Sequence, residues 1–215
     1  VLFEGASPAV ANAALLSRAE YLLDLERYAD AIDALDRLRM YALAEDDHMR
    51  ASCMRTLALY RMGDYDSAAA QLGAGAAEPS ALSVLTLASV GRYDEALSLA
   101  VTLRPDREEA LRELFDNAPL ARKEGIATML SLLPPLGHLY IGDSAWPGVT
   151  VLSYAGAALT VWQLLEGNWV NAILGGGMLL NASYMEHNIA TAPERTAAFN
   201  SERLSRFLAS LEAML

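Results

Sequence analysis

Cysteine is almost absent: Cys53 stands alone among 215 residues. One thiol forms no intramolecular disulfide and no cysteine-based zinc cluster. Set among apolar helical residues, Cys53 is expected to be packed rather than reactive. Positive charge is also scarce. Sixteen basic residues face 27 acidic ones, for a net charge of −11. Such a surface repels phosphate backbones, which argues against a nucleic-acid partner, and its acidity reads mainly as a solvated helical face. Sustained period-two alternation is missing, so no sheet is expected. Catalytic signatures are missing too. There is no His-Glu-x-x-His and no serine in a nucleophile-elbow context, and Gly175-Gly176-Gly177 is not followed by Lys-Ser/Thr. Without a convergent acid, base and nucleophile, the expectation is a non-enzymatic protein with no cofactor and no metal.

The most informative absence is local. From Gly125 to Met185 the only formally charged side chains are Asp143 and Glu166. That shift in composition predicts three parts: a helical domain over 1–118, a membrane domain over 119–190, and an amphipathic helix over 191–215.

Between Ser7 and Asp116 strong helix formers dominate. Apolar residues recur at helical spacing, as in Leu15, Ala19, Leu22 and Leu23, then Ala31, Leu35 and Leu38. A short theme recurs three times: Glu26-Arg27-Tyr28-Ala29-Asp30-Ala31, Gly63-Asp64-Tyr65-Asp66-Ser67-Ala68 and Gly91-Arg92-Tyr93-Asp94-Glu95-Ala96. Glycine at the first position ends a helix where positive φ is needed. Tyrosine packs the turn, and alanine lets the second helix approach the first.

This theme resembles the tetratricopeptide repeat, in which Gly-x-Tyr-x-x-Ala joins the two helices of a hairpin. Ala19, nine residues before Tyr28, matches the small residue of the family's first helix. The copies are degenerate. Their tyrosines lie 37 and then 28 residues apart, against a family period of about 34. The closing proline is approximated only by Pro105, after the third copy. The resemblance implies a stack of helical hairpins that recruits a protein partner.

Pro147 to Leu165 is 19 residues without a charge, about 28 Å as a helix and close to the thickness of a bilayer's hydrocarbon core. Glu166-Gly167-Asn168 reads as a turn, and Trp169 to Met185 is a second uncharged stretch. The pair predicts a transmembrane helical hairpin over 147–165 and 169–185. Trp146 and Tyr184 would mark one interface, and Trp162 and Trp169 the other. Gly156 and Gly175 would allow close packing, with Asn171 and Asn181 turned toward the neighbouring helix rather than lipid. The alternative is a hairpin buried in a larger soluble core.

The preceding segment, 125–142, is apolar but broken by Pro134-Pro135, and reads as an interfacial helix, a re-entrant segment or a third span. Leu133-Pro134-Pro135-Leu136-Gly137-His138-Leu139-Tyr140-Ile141-Gly142, followed by Gly148, is similar to the Leu-Pro-Gly-x-Gly-x-x-Tyr-x-Gly signature of small bacterial two-helix membrane domains. Pro135 replaces the usual first glycine. The likeness extends to Tyr184-x-x-x-Asn188 and to Glu194-Arg195-x-x-x-x-Asn200 after the hairpin. It implies a membrane protein of unknown activity, in some cases fused to tetratricopeptide repeats. His138 is expected to be packed or interfacial, the rival being a pair with Glu186 or His187.

After Pro193 the sequence predicts an amphipathic helix with Phe199, Leu204, Phe207, Leu208 and Leu211 on its apolar face, lying on the membrane or docking on the repeats. Arg122, Lys123 and Arg195 flank the apolar region. With two spans they place both ends in the cytoplasm. With three spans the repeats and the tail lie on opposite sides, and a signal peptide removed ahead of Val1 would favour that arrangement, with the repeats in the periplasm. Taken together, the sequence predicts an all-α protein of the bacterial inner membrane, with membrane lipid and an unidentified protein as partners and a scaffold or adaptor role. The rival is a subunit of a transport, secretion or insertion complex.

Overall fold

The computed structural model describes residues 7–74, 79–132, 136–142, 146–174 and 176–215, excepting the side chains at 73–74, 146–147, 149–150, 153, 173–174 and 176–185. Every regular element among them is helical, and the chain is all-α. It divides into two compact units: residues 1–118 with 207–215, and residues 119–206.

The first unit contains α1 (Pro8–Asp24), α2 (Tyr28–Asp36), α3 (Glu45–Arg61), α4 (Tyr65–Ala74), α5 (Ala81–Ser89), α6 (Tyr93–Leu103) and α7 (Glu108–Asp116). Helix α1 begins where Ser7 caps it, its hydroxyl accepting from the Val10 amide, with Pro8 in the first turn. Helix α5 begins in the same way at Ser80. Consecutive helices form the hairpins α1–α2, α3–α4 and α5–α6. Each hairpin packs on the next through α2–α3 and α4–α5, and the first helices touch through α1–α3 and α3–α5.

The three hairpin turns are built alike. Glu26, Gly63 and Gly91 have φ of 57°, 80° and 78°. The amide of each donates three residues back, to the carbonyls of Leu23, Tyr60 and Ala88. The next amide donates five residues back, from Arg27 to Leu22, Asp64 to Leu59 and Arg92 to Leu87, at 2.8–3.0 Å. This pair of bonds satisfies carbonyls that a helix end otherwise leaves orphaned. Further along each copy, Ala31, Ala68 and Ala96 lie in the first turn of the next helix and are fully buried. Tyr28, Tyr65 and Tyr93 are half-buried beside the turns.

The unit is completed from far along the sequence. Phe207, Leu208 and Leu211 are buried. The Phe207 ring meets Tyr93 edge-on at 5.6 Å and Phe115 at 5.4 Å. Arg104 donates to the Leu215 carbonyl, and Arg107 to those of Ala213 and Met214. These arginines satisfy the last carbonyls of a helix and complement its dipole. Of the two placements expected for the amphipathic segment, Phe207–Leu215 adopts docking on the helical hairpins.

The second unit contains α8 (Glu124–Leu130), α9 (Leu136–Ile141), α10 (Trp146–Leu165), α11 (Trp169–Leu174) and α12 (Gly176–Met214) up to Arg206. The α10–α11 turn reuses the device of the first unit. Gly167 has φ 74°, its amide donates to Leu164, and the Asn168 amide donates to Gln163 at 2.9 Å. Among the described residues, no helix is long and apolar enough to cross a membrane.

Several sequence expectations are corrected. Cys53 is exposed, because the buried face of α3 runs through Ala51, Met54 and Ala58. No helix begins after Pro193: that residue lies inside α12. Around it the helix's own carbonyls are served by side chains, with Thr191 donating to His187, Arg195 to Asn188 and Thr196 to Ala192. None of these bonds goes to the Ile189 carbonyl, the one whose helical donor Pro193 lacks. Asn171 is exposed rather than turned inward, and the buried position beside it is Ala172. Pro134, Pro135 and Gly175 lie outside the described residues, as does the side chain of Asn181.

Candidate functional site

The segment 136–142 packs closely on its neighbours in the second unit. Gly137 is buried against Ser131, the residue that ends α8. A Cβ at Gly137 would stand 2.2 Å from the Ser131 hydroxyl oxygen and 2.9 Å from its Cα. Only glycine permits that approach. Gly142 ends α9 with φ 81°, and a Cβ there would touch the Phe199 ring at 3.4 Å. The Tyr140 hydroxyl accepts from the Lys123 amide at 3.2 Å. Gly148 meets nothing within 4 Å, so no neighbour requires glycine there. Within the motif, then, Gly137, Tyr140 and Gly142 have visible physical roles and Gly148 has none.

Helix α12 supplies the partners of this segment. His138 is buried, and its Nε2 lies 2.9 Å from Asn188 Oδ1. The Arg195 Nη1 lies 2.7 Å from His138 Nδ1. The same Nη1 also lies 3.0 Å from His138 Nε2, so the guanidinium approaches both ring nitrogens. Both ring nitrogens of His138 thus lie within hydrogen-bond distance of protein partners. The rival pair with Glu186 or His187 does not form, since both of those residues are exposed. Further along α12, the Asn200 side-chain amide clasps the backbone of Arg122 through two bonds of 2.9 Å. The Arg122 guanidinium lies over the rings of Phe199 (4.8 Å) and Tyr140 (5.3 Å). Asn188, Arg195 and Asn200 stand after the hairpin in the sequence likeness; the first two meet His138 of α9 and the third the backbone of Arg122, just ahead of α8. Ser131 carries no sequence signal of its role, because its importance comes from Gly137 lying against it.

The α10–α11 hairpin has the opposite character. Its less exposed positions on α10 are Gly156, Thr160 and Gln163, spaced along one helical face. Thr160 satisfies its hydroxyl on the Gly156 carbonyl at 2.9 Å. The apolar residues point outward: Val151 is 68% exposed, Leu152 62%, Trp162 56% and Leu165 82%, with Trp169 63% exposed across the turn. A helix in water carries the reverse pattern.

Among the described residues no group of histidine, cysteine or carboxylate side chains forms a metal site. The repeat residues Tyr28, Ala31, Gly63, Tyr65, Ala68, Gly91, Tyr93 and Ala96 occupy hairpin turns and helix starts, where their contacts are architectural. No protein-family model, curated protein or solved structure matches this chain.

Proposed function

We propose that this chain is a membrane-anchored helical-repeat adaptor of the bacterial inner membrane, without catalytic activity. Its tetratricopeptide-like hairpins recruit a protein partner, and the α10–α11 hairpin sits in lipid. The observation that carries the reading is the outward apolar face of α10, with Gly156, Thr160 and Gln163 turned inward. Covering each large apolar side chain is worth about 1.5–3 kcal/mol, and among the described residues nothing in the second unit covers Val151, Leu152 or Trp162. Lipid is the solvent for which such a surface is suited, and small or self-satisfied residues suit the contact between the arms. On this reading the His138–Asn188–Arg195 cluster fixes the segment leading into the hairpin.

Membrane fractionation tests the anchor. The chain is expected to remain in the pellet through a carbonate wash and to be released by mild detergent. Release by carbonate alone would refute lipid insertion and assign the apolar face of α10 to a contact between protein chains.

A further inference from the structure

The first unit holds a cluster of cations with no evident structural use. A pocket of about 210 Å³ is lined by Ala11, Asn12, Leu15, Arg18, Arg37 and Arg39. Among the described residues none of these three arginines has a carboxylate within salt-bridge distance, although acidic residues far outnumber basic ones. The other arginines of the unit behave differently. Arg27, Arg50, Arg55, Arg61, Arg92, Arg104, Arg107 and Arg112 each pair with an aspartate or glutamate. The acidic residues nearest in sequence are already engaged, Glu20 by Arg50 and Asp36 by Arg55. Among the described residues, the pocket is thus lined by the unit's unpaired cations.

The pocket is also held in shape. Asn12 is buried, and its amide makes two bonds of 2.9 Å to the backbone of Arg39, donating to the carbonyl and accepting from the amide. This clasp fixes the chain where it leaves α2 and sets Arg39 at the rim. Ala11 and Leu15, both buried, give an apolar floor. Immediately after Arg39, Met40 is 54% and Tyr41 82% exposed. The volume falls below the ~300–1,000 Å³ typical of small-molecule sites, which suits single side chains of a longer ligand.

We propose that this pocket binds an acidic peptide segment, its aspartate or glutamate carboxylates held by Arg18, Arg37 and Arg39. Guanidinium forks match carboxylates in geometry and charge. This names the partner class for the recruiting half of the adaptor reading and does not depend on lipid insertion. Asn12 is a positioning residue acting through Arg39.

The test is fluorescence anisotropy of a labelled Glu/Asp-rich peptide titrated with the full chain in neutral detergent. A net charge of −11 opposes non-specific capture of an acidic probe, so binding demands a local site. Arg18→Gln, Arg37→Gln and Arg39→Gln are each expected to weaken binding about threefold to tenfold, and the triple variant to abolish it, with the helical circular dichroism spectrum retained. Arg92→Gln, which removes a paired arginine elsewhere, is expected to leave binding unchanged. Inorganic phosphate at equal ionic strength is expected to compete no better than chloride. Wild-type affinity in the triple variant overturns the proposal, as does failure of the peptide to bind. Phosphate binding to the same arginines in place of the peptide overturns it in favour of a phosphate site. A carbonate-resistant chain that ignores the peptide loses this site and keeps its anchor.

Discussion

Gly137→Ala tests the close approach of α9 to Ser131. The added methyl would lie 2.2 Å from the Ser131 hydroxyl oxygen, 3.0 Å from its Cβ and 2.9 Å from its Cα. Rotating the serine relieves only the first of these clashes. It also costs the bond from the hydroxyl to the Ala127 carbonyl at 2.8 Å, worth about 1 kcal/mol. The clash with the Ser131 main chain cannot be relieved by any rotamer, so α9 itself has to move. Overpacking of this kind costs about 1–3 kcal/mol. Against it stands the helix propensity of alanine over glycine, about 1 kcal/mol. With the serine bond included, the net expectation is a loss of about 1–3 kcal/mol, confined to α8 and α9. Amide hydrogen exchange in mild detergent reads this directly, since each 1.4 kcal/mol changes the opening equilibrium about tenfold. Peptides covering α8 and α9 are expected to exchange roughly five to 140 times faster. Gly125→Ala, where a Cβ meets nothing within 4 Å, is expected to leave exchange unchanged or slow it. Adding Ser131→Gly to Gly137→Ala clears the serine side chain from the path of the new methyl and is expected to recover part of the protection. Equal exchange in the Gly137→Ala and Gly125→Ala variants would refute the close-approach argument.

Two further substitutions test the first unit. Glu26→Gly replaces the one non-glycine among the three positive-φ repeat turns. An L-residue there costs about 1–2 kcal/mol and glycine forfeits about 0.5–1 kcal/mol in backbone entropy, so the melting temperature is expected to rise by a few degrees; a fall would show that Glu26 is not strained. Phe207→Ala removes a buried ring from its packing on Tyr93 and Phe115 and is expected to cost about 3–5 kcal/mol. Limited trypsin digestion would then cleave faster at Arg203 and Arg206, and unchanged cleavage would count against the docking of 207–215.

What the sequence discloses depends on how local the cause is. Gly63-x-Tyr65-x-x-Ala68 and Gly91-x-Tyr93-x-x-Ala96 announce their turns because positive φ and close helix approach are properties of single residues. The turn at Glu26 is legible only through its neighbours, since glutamate does not advertise a left-handed backbone. Cys53 reads as packed yet is exposed, because apolar neighbours on a helix do not say which face points inward. Pro193 misleads for a different reason. Proline ordinarily ends a helix, yet α12 runs on through this one. The arginine pocket leaves no trace in the sequence. Arg18 and Arg39 are distant along the chain, and what distinguishes them is the lack of a partner among the described residues, which is a property of three dimensions.

The completion of the first unit by Phe207–Leu215 bears on how the chain is made. Synthesis runs in order, so the first three hairpins emerge early and can fold as they appear. Tyr93 and Phe115 then wait, with one aromatic face bare, until the whole of residues 119–206 has been translated. The repeat core therefore closes only on molecules whose second unit has been produced. A molecule stalled or truncated before Phe207 keeps apolar surface exposed, the feature by which chaperones and proteases triage incomplete chains.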